Sequence, residues 1–158
     1  MERKINYKIL LPSLLVPLGL GGLTAFVLKD SFGIYEMLYK PLFSPPKWLF
    51  GPAWTLLYIL MGIACYLVLM SDVSSQRKGR AIKAYAVQLA LNILWPYLFF
   101  GLEMFGLSML CAALLLAAVL VCYVLFAHIN EVSGRLLLPY IFWCAYALYL
   151  NTGVVLLN

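Results

Sequence analysis

FGLSMLCAALLLAAVLVCYVLFA, residues 105–127, decides the fold, because it runs 23 residues without one charged side chain. As a helix rising about 1.5 Å per residue, it reaches about 34 Å, enough to cross the roughly 30 Å of bilayer hydrocarbon. Backbone groups in lipid must bond within their own segment, so helix is the expected state. Working outward, four more apolar runs of similar length appear at 9–28, 49–70, 81–102 and 136–157. The charged residues gather in short clusters between them. The chain is 65% hydrophobic and only 11% charged, whereas a soluble domain averages about 45–50% apolar and about 25% charged. A core of this size cannot hide so much apolar surface. The sequence therefore predicts an all-α membrane protein, a bundle of five transmembrane helices forming one domain over residues 1–158, with the lipid bilayer as part of its solvent.

Basic residues set the expected orientation. Arg3, Lys4, Lys8, Arg77, Lys78, Arg80, Lys83 and Arg135 fall on one side of a five-span chain, and only Lys29, Lys40 and Lys47 on the other. The positive-inside rule then puts the N-terminus in the cytoplasm and the C-terminus on the opposite side. The net charge of +5 is spent beside hydrophobic runs rather than in an aromatic-studded stripe, so no nucleic-acid partner is expected. The first run follows basic residues as a signal peptide does. It is too long for a signal core, and Lys29-Asp30 stands where a cleavage site would be, so it reads as a retained helix. Pro12, Pro17 and three glycines, Gly19, Gly21 and Gly22, predict that this helix is kinked or loosely wound. Cys65, Cys111, Cys122 and Cys144 each sit in an apolar run and read as reduced thiols rather than a disulfide framework or metal site.

The connections are unequal. The third and fourth spans are joined by a few residues around Glu103 and must be antiparallel neighbours. Segment 29–48 is about twenty residues long and carries Phe32, Tyr35, Leu38, Tyr39, Phe43 and Trp48, stiffened by Pro41, Pro45 and Pro46. It reads either as a lid folded over the helix ends or as an interfacial aromatic belt.

Polar groups at membrane depth carry the functional signal. Gln88, Asn92 and Trp95 recur at i, i+4 and i+7 on one helical face; Trp143, Ala147 and Asn151 share another; Trp54 and Tyr58 share a third. Pro96 loosens the helix beside Trp95. Two readings are open. The amides are interhelical hydrogen-bond glue, or these faces converge on an aromatic pocket between the second and fifth spans, beneath segment 29–48. Such a pocket suits a planar, mostly apolar ligand. No Asp, Glu, Arg or His lies mid-span, so a proton relay or ion path lacks its usual residues. The lone His128, next to a basic loop, reads as interfacial rather than as a general base or haem ligand. No nucleophile elbow, phosphate loop or zinc motif is present. Ala86/Ala90 and Ala113/Ala117 are small-xxx-small pairs that permit close helix approach, including a homodimer.

Residues 35–66, YEMLYKPLFSPPKWLFGPAWTLLYILMGIACY, closely resemble the signature stretch of the tryptophan-rich sensory protein/translocator protein family, that of the peripheral-type benzodiazepine receptor. QLALNILWPYLFFG at 88–101 and LLLPYIFWCAYALYLNTGVVLLN at 136–158 match further family motifs, in order and on the corresponding spans. The resemblance implies a five-helix bundle, commonly a homodimer, with a pocket closed by the loop after the first helix. It implies porphyrin, haem-type tetrapyrrole or lipophilic drug-like ligands, with no cofactor required. Position by position, the implied ligand-binding residues are Tyr35, Pro45, Trp54, Tyr58, Asn92, Trp95, Trp143 and Ala147, which favours the pocket reading over glue. Some members resemble light-dependent porphyrin-degrading enzymes, in which case Trp54 and Trp143 would be the catalytic pair. The family's older association with translocation implies a transporter of tetrapyrroles, sterols or other lipophiles as the alternative. Two departures are visible: many members carry an acid near the position of Cys111, and the animal members' sterol motif needs a basic residue after the position of Tyr149, which this chain lacks.

Overall fold

A computed structural model describes residues 5–158, so Arg3 and Lys4 of the charge balance lie outside the described residues. Among the described residues, five helices are long and apolar enough to cross a membrane. In chain order the helices are α1 (Tyr7–Val27), the short α2 (Ile34–Met37), α3 (Phe50–Met70), α4 (Ser75–Pro96), α5 (Phe105–Ile129), the short α6 (Glu131–Arg135) and α7 (Leu138–Leu157). Among the described residues there is no strand. The protein is therefore a multi-pass integral membrane protein, and the spans lie within a few residues of their sequence-based bounds, apart from α4, which starts six residues earlier.

Helix ends follow local chemistry. The Asn6 side chain caps α1 by accepting from the Lys8 N–H at 3.1 Å, and Asn130 caps α6 by accepting from the Ser133 N–H at 3.0 Å. Despite Pro12 and Pro17, α1 runs unbroken. Its neighbour holds it: a Cβ on Gly62 of α3 would stand 2.6 Å from the Ser13 carbonyl oxygen, so the two backbones touch. Pro96 ends the regular α4 because it cannot donate a backbone bond. A wide π turn over Tyr97–Gly101 follows, in which the Leu102 N–H reaches the Tyr97 carbonyl. That turn buries Leu98, Phe99 and Phe100 together.

α1 packs along α3, α4 along α5, and α5 along α7. α6 folds back on α5 and ties to α3 through the Ser133 hydroxyl, which donates to the Ala64 carbonyl at 2.8 Å. Apolar residues point outward on all five long helices, among them Leu15, Leu56, Val87, Leu110 and Phe142, which suits contact with acyl chains. Polar residues point inward: Gln88, Asn92, Ser108, Ser133 and Asn151 are all buried. Ala86, Ala90, Ala113 and Ala117 face outward, so neither small-residue pair mediates α4–α5 packing. The four cysteines are buried and unbridged. His128 is exposed, with Nδ1 against the Val124 carbonyl of its own helix.

Segment 29–48 divides in two. Its first part winds through a 3₁₀ turn (Ser31–Gly33) and α2, turning Phe32 and Tyr35 inward. Its second part runs beside the end of α7, where Asn158 exchanges two hydrogen bonds with the Tyr39 backbone.

Candidate ligand cavity

α3 enters the bundle from a second 3₁₀ turn, Lys47–Leu49, and its first turns carry Phe50, Trp54 and Tyr58 on one side. One helical turn separates Trp54 from Tyr58, and the two rings stack with centroids 5.7 Å apart. Opposite, α4 presents Asn92, Trp95 and Pro96, while α1 contributes the narrow edge of Leu18, Gly21, Gly22, Thr24 and Ala25. Together with Phe32, Tyr35, Lys47 and Trp48 above and Phe100 at the π turn, they wall a cavity of about 500 Å³. Among the lining residues Lys47 alone is charged, and its ammonium stands 4.0 Å from Glu36 at the exposed rim.

Glycine on α1 is what lets the wall form. Gly21 lies flat against the Tyr58 ring, and a Cβ there would meet Cε2 at 2.1 Å. At Gly22 a Cβ meets nothing within 4 Å, so this position borders open space.

The amides serve both readings at once. Tyr58 donates to Asn92 Oδ1 at 2.7 Å, and Asn92 Nδ2 donates to the Tyr140 hydroxyl at 2.8 Å. Tyr140 in turn donates to Gln88 Oε1 at 2.8 Å. Asn92 thus borders the cavity while joining α3, α4 and α7. Asn151 is a second knot: its Oδ1 accepts from Trp95 Nε1 at 3.0 Å and from Ser108 Oγ at 2.8 Å. Its Nδ2 donates to the Phe105 carbonyl, also at 3.0 Å. Trp95 is therefore held with its indole N–H satisfied and its ring on the cavity.

Of the residues singled out in the sequence, Tyr35, Trp54, Tyr58, Asn92 and Trp95 line this one cavity. Pro45 reaches it indirectly, since its carbonyl accepts from the Tyr35 hydroxyl at 2.9 Å. Burial raises the Tyr35 phenol above its ordinary value, so the hydroxyl stays a donor. Trp143 stands behind Trp54 rather than on the cavity, with centroids 6.4 Å apart. Ala147 borders a separate space of only about 20 Å³ under Lys40, Pro41 and Ser44. The main cavity thus lies between α1, α3 and α4, not between α3 and α7, the second and fifth spans. The reason is steric: Trp54, Tyr140 and Trp143 fill the α3–α7 side with rings in edge contact.

Sequence reasoning missed Tyr140, Ser108, Phe100 and the α1 edge. Tyr140 had a signal, since it precedes Asn151 by eleven residues, three helical turns, and shares its face. Gly21 had none, because its role depends on which helix lies beside it.

Five membrane-crossing helices, three of which wall a cavity of indole, phenol and amide with one lysine at its rim, define a multi-pass membrane protein with an aromatic cavity. Comparison with known sequences gives the class its family. The profile of the TspO/MBR family matches residues 13–157, and the chain belongs to that family. It is 33% identical over 158 residues to the tryptophan-rich protein TspO of Chlorobaculum tepidum, covering 100% of this chain and 99% of that one. It is 38% identical over 155 residues to the protein of the same name in Archaeoglobus fulgidus, covering 98% and 99%. Similarity extends to the human translocator protein, 34% identical over 127 residues, with 80% of this chain and 75% of that one covered.

Proposed function

We propose that this protein is a membrane receptor that takes a planar tetrapyrrole, or a lipophilic molecule of similar shape, into the α1–α3–α4 cavity. The observation that carries the reading is the cavity wall itself: Trp54, Tyr58, Trp95 and Phe100 around about 500 Å³, with a single ammonium, Lys47, at the rim. Flat apolar faces favour stacking of a macrocycle, the volume is that of a small-molecule site, and one cation at the rim favours a peripheral carboxylate. No metal or cofactor is needed for such binding. Segment 29–48 would act as its lid, with Tyr35 and Phe32 closing the chamber. The names of relatives point the same way: one from Cereibacter sphaeroides is called a tryptophan-rich sensory protein.

The test is a titration of purified protein with protoporphyrin, read at the Soret band. Saturable binding is expected, and Lys47→Gln should weaken the free acid more than its dimethyl ester. Absence of saturable binding by either form would remove the reading.

Trp54, bordering the cavity with Trp143 against it, supports a second reading in which bound porphyrin is degraded in light, the two indoles being redox-active neighbours of the excited ring. Transport is the remaining alternative, consistent with the name translocator protein borne by the human relative. Saturable, protein-dependent flux across liposomes would favour it. A homodimer, the positive-inside orientation and the bilayer complete the proposed setting, with the outward Ala86 and Ala90 available to a second copy.

A further inference from the structure

Segment 39–44 is irregular backbone in an unusual place. The Tyr149 hydroxyl donates to the Leu42 carbonyl at 2.9 Å, and the Tyr146 hydroxyl donates to the Phe43 carbonyl at 2.6 Å. Pro41 lies against Gly153, where a Cβ would meet the proline ring at 2.4 Å. The strip therefore descends along α7, from Asn158 beside Tyr39 to Tyr146 beside Phe43. Its depth can be read from Asn151, which bonds the carbonyl of Phe105, the first residue of α5. That contact sets α7 at Asn151 level with the α4–α5 turn that carries Glu103. Tyr149 and Tyr146 lie two and five residues further down the helix, about 3 Å and about 8 Å below that level.

We infer that segment 39–43 is seated in the bilayer, with the Leu42 and Phe43 side chains inserted at the headgroup–acyl boundary beside α7. Three observations and one general rule carry this. Leu42 and Phe43 are 79% and 86% exposed, and Met37, Tyr39 and Trp48 of the same segment are exposed with them. Phe43 adopts φ 62°, a conformation unfavourable for a bulky residue, and this turn sends the ring outward while its carbonyl faces α7. The carbonyls of Tyr39, Pro41, Leu42 and Phe43 each receive a side-chain donor, from Asn158, Ser44, Tyr149 and Tyr146. The amide N–H groups of Leu42 and Phe43 have no acceptor among the described residues, so capped carbonyls with open N–H groups suit the headgroup–acyl boundary rather than the hydrocarbon interior. Finally, aromatic and apolar side chains dipping about 5–10 Å below the headgroups are the ordinary means by which a segment lies in a membrane surface. The partner is lipid, and the inference is independent of which ligand fills the cavity. Phe32 and Tyr35 of the same segment face inward, so this one connection serves both the chamber and the bilayer.

The experiment places a nitroxide label at Phe43→Cys in the full chain in liposomes, the four native cysteines being buried. Relaxation by dissolved oxygen is compared with relaxation by a water-soluble nickel chelate. Labels at Leu110→Cys, on the lipid face of α5, and at Glu131→Cys, on an exposed polar turn, give the two reference patterns. The expected result is oxygen-dominated relaxation at 43, close to the Leu110 pattern. Nickel-dominated relaxation, as at Glu131, would overturn the inference. So would exclusion of both relaxants with dipolar broadening between labels, because a second copy would then cover the strip. Adding Tyr146→Phe and Tyr149→Phe removes both carbonyl donors and should raise the nickel effect at 43 severalfold. No change would overturn the role assigned to the two hydroxyls.

Discussion

Trp54 and Trp143, from α3 and α7, meet edge to face, with ring centroids 6.4 Å apart and planes at 86°. Trp54 borders the cavity and Trp143 does not, so the two indoles should separate binding from any photochemistry. Trp54→Ala removes a stacking face and should weaken porphyrin binding at least tenfold, about 1.4 kcal/mol. Trp143→Phe keeps a ring behind Trp54 and should change affinity less than about threefold while slowing light-dependent bleaching of the Soret band. Equal losses of affinity in both variants would show that Trp143 touches the ligand directly.

Among the glycines of the cavity wall, Gly21 is the one where an added Cβ would collide with a neighbour, at 2.1 Å from Tyr58 Cε2. Gly21→Ala forces the Tyr58 ring away and breaks its bond to Asn92. The cost should be about 1–3 kcal/mol by overpacking, seen as a lowered Tm in detergent. The double variant Gly21→Ala/Tyr58→Val should recover most of that loss. A Gly21→Ala protein as stable as the parent would mean the ring has room to move.

The two polar knots should differ in cost. Tyr140→Phe removes one hydroxyl that both accepts from Asn92 and donates to Gln88. Asn151→Leu removes three bonds that tie α7 to α4 and α5, stranding Trp95 Nε1 and leaving Ser108 Oγ only the Phe105 carbonyl. Interhelical hydrogen bonds in membranes average about 0.6 kcal/mol, and an unsatisfied buried group costs about 1–3 kcal/mol. With three bonds lost against two, Asn151→Leu should lower Tm more than Tyr140→Phe. The reverse order in thermal unfolding would contradict this assignment.

The Tyr35 hydroxyl joins the inward part of segment 29–48 to Pro45 at 2.9 Å. Tyr35→Phe should speed ligand release severalfold, with a smaller effect on binding rate, in stopped-flow traces. Burial raises the folded phenol above its ordinary value near 10. A raised folded value means that the contact is fully present below about pH 10 and is lost only as pH climbs through the higher folded value. Release from the parent protein should accordingly be flat between about pH 6 and 9. A rise in release within that range would assign the closure to another group.

Much of this architecture could be read from the chain. The five spans follow from run length and charge placement, which a bilayer enforces strictly. Trp54, Tyr58, Asn92 and Trp95 were legible because spacing at i and i+4 fixes a shared helix face. What spacing cannot fix is the neighbour each face meets, so Trp143 and Ala147 were expected on the same chamber wall as Trp54. Rings of bulk comparable to the gap fill the α3–α7 side instead, and the free volume lies beside α1, where residues are small. Pro12 and Pro17 do not interrupt α1, whose backbone lies directly against Gly62 of α3. The 29–48 segment admitted two readings by composition, a lid and an interfacial belt, because it carries apolar side chains for both directions: Phe32 and Tyr35 turn inward, Leu42 and Phe43 outward.

The location of the chamber is the central claim, and Gly22 tests it most directly. Gly22 lines the open volume, and a Cβ there meets no atom within 4 Å. Gly22→Phe should leave the protein folded and abolish saturable porphyrin binding, while Leu23→Phe, one residue on and lipid-facing, should bind as the parent does. A folded Gly22→Phe protein that titrates with unchanged affinity would contradict the account.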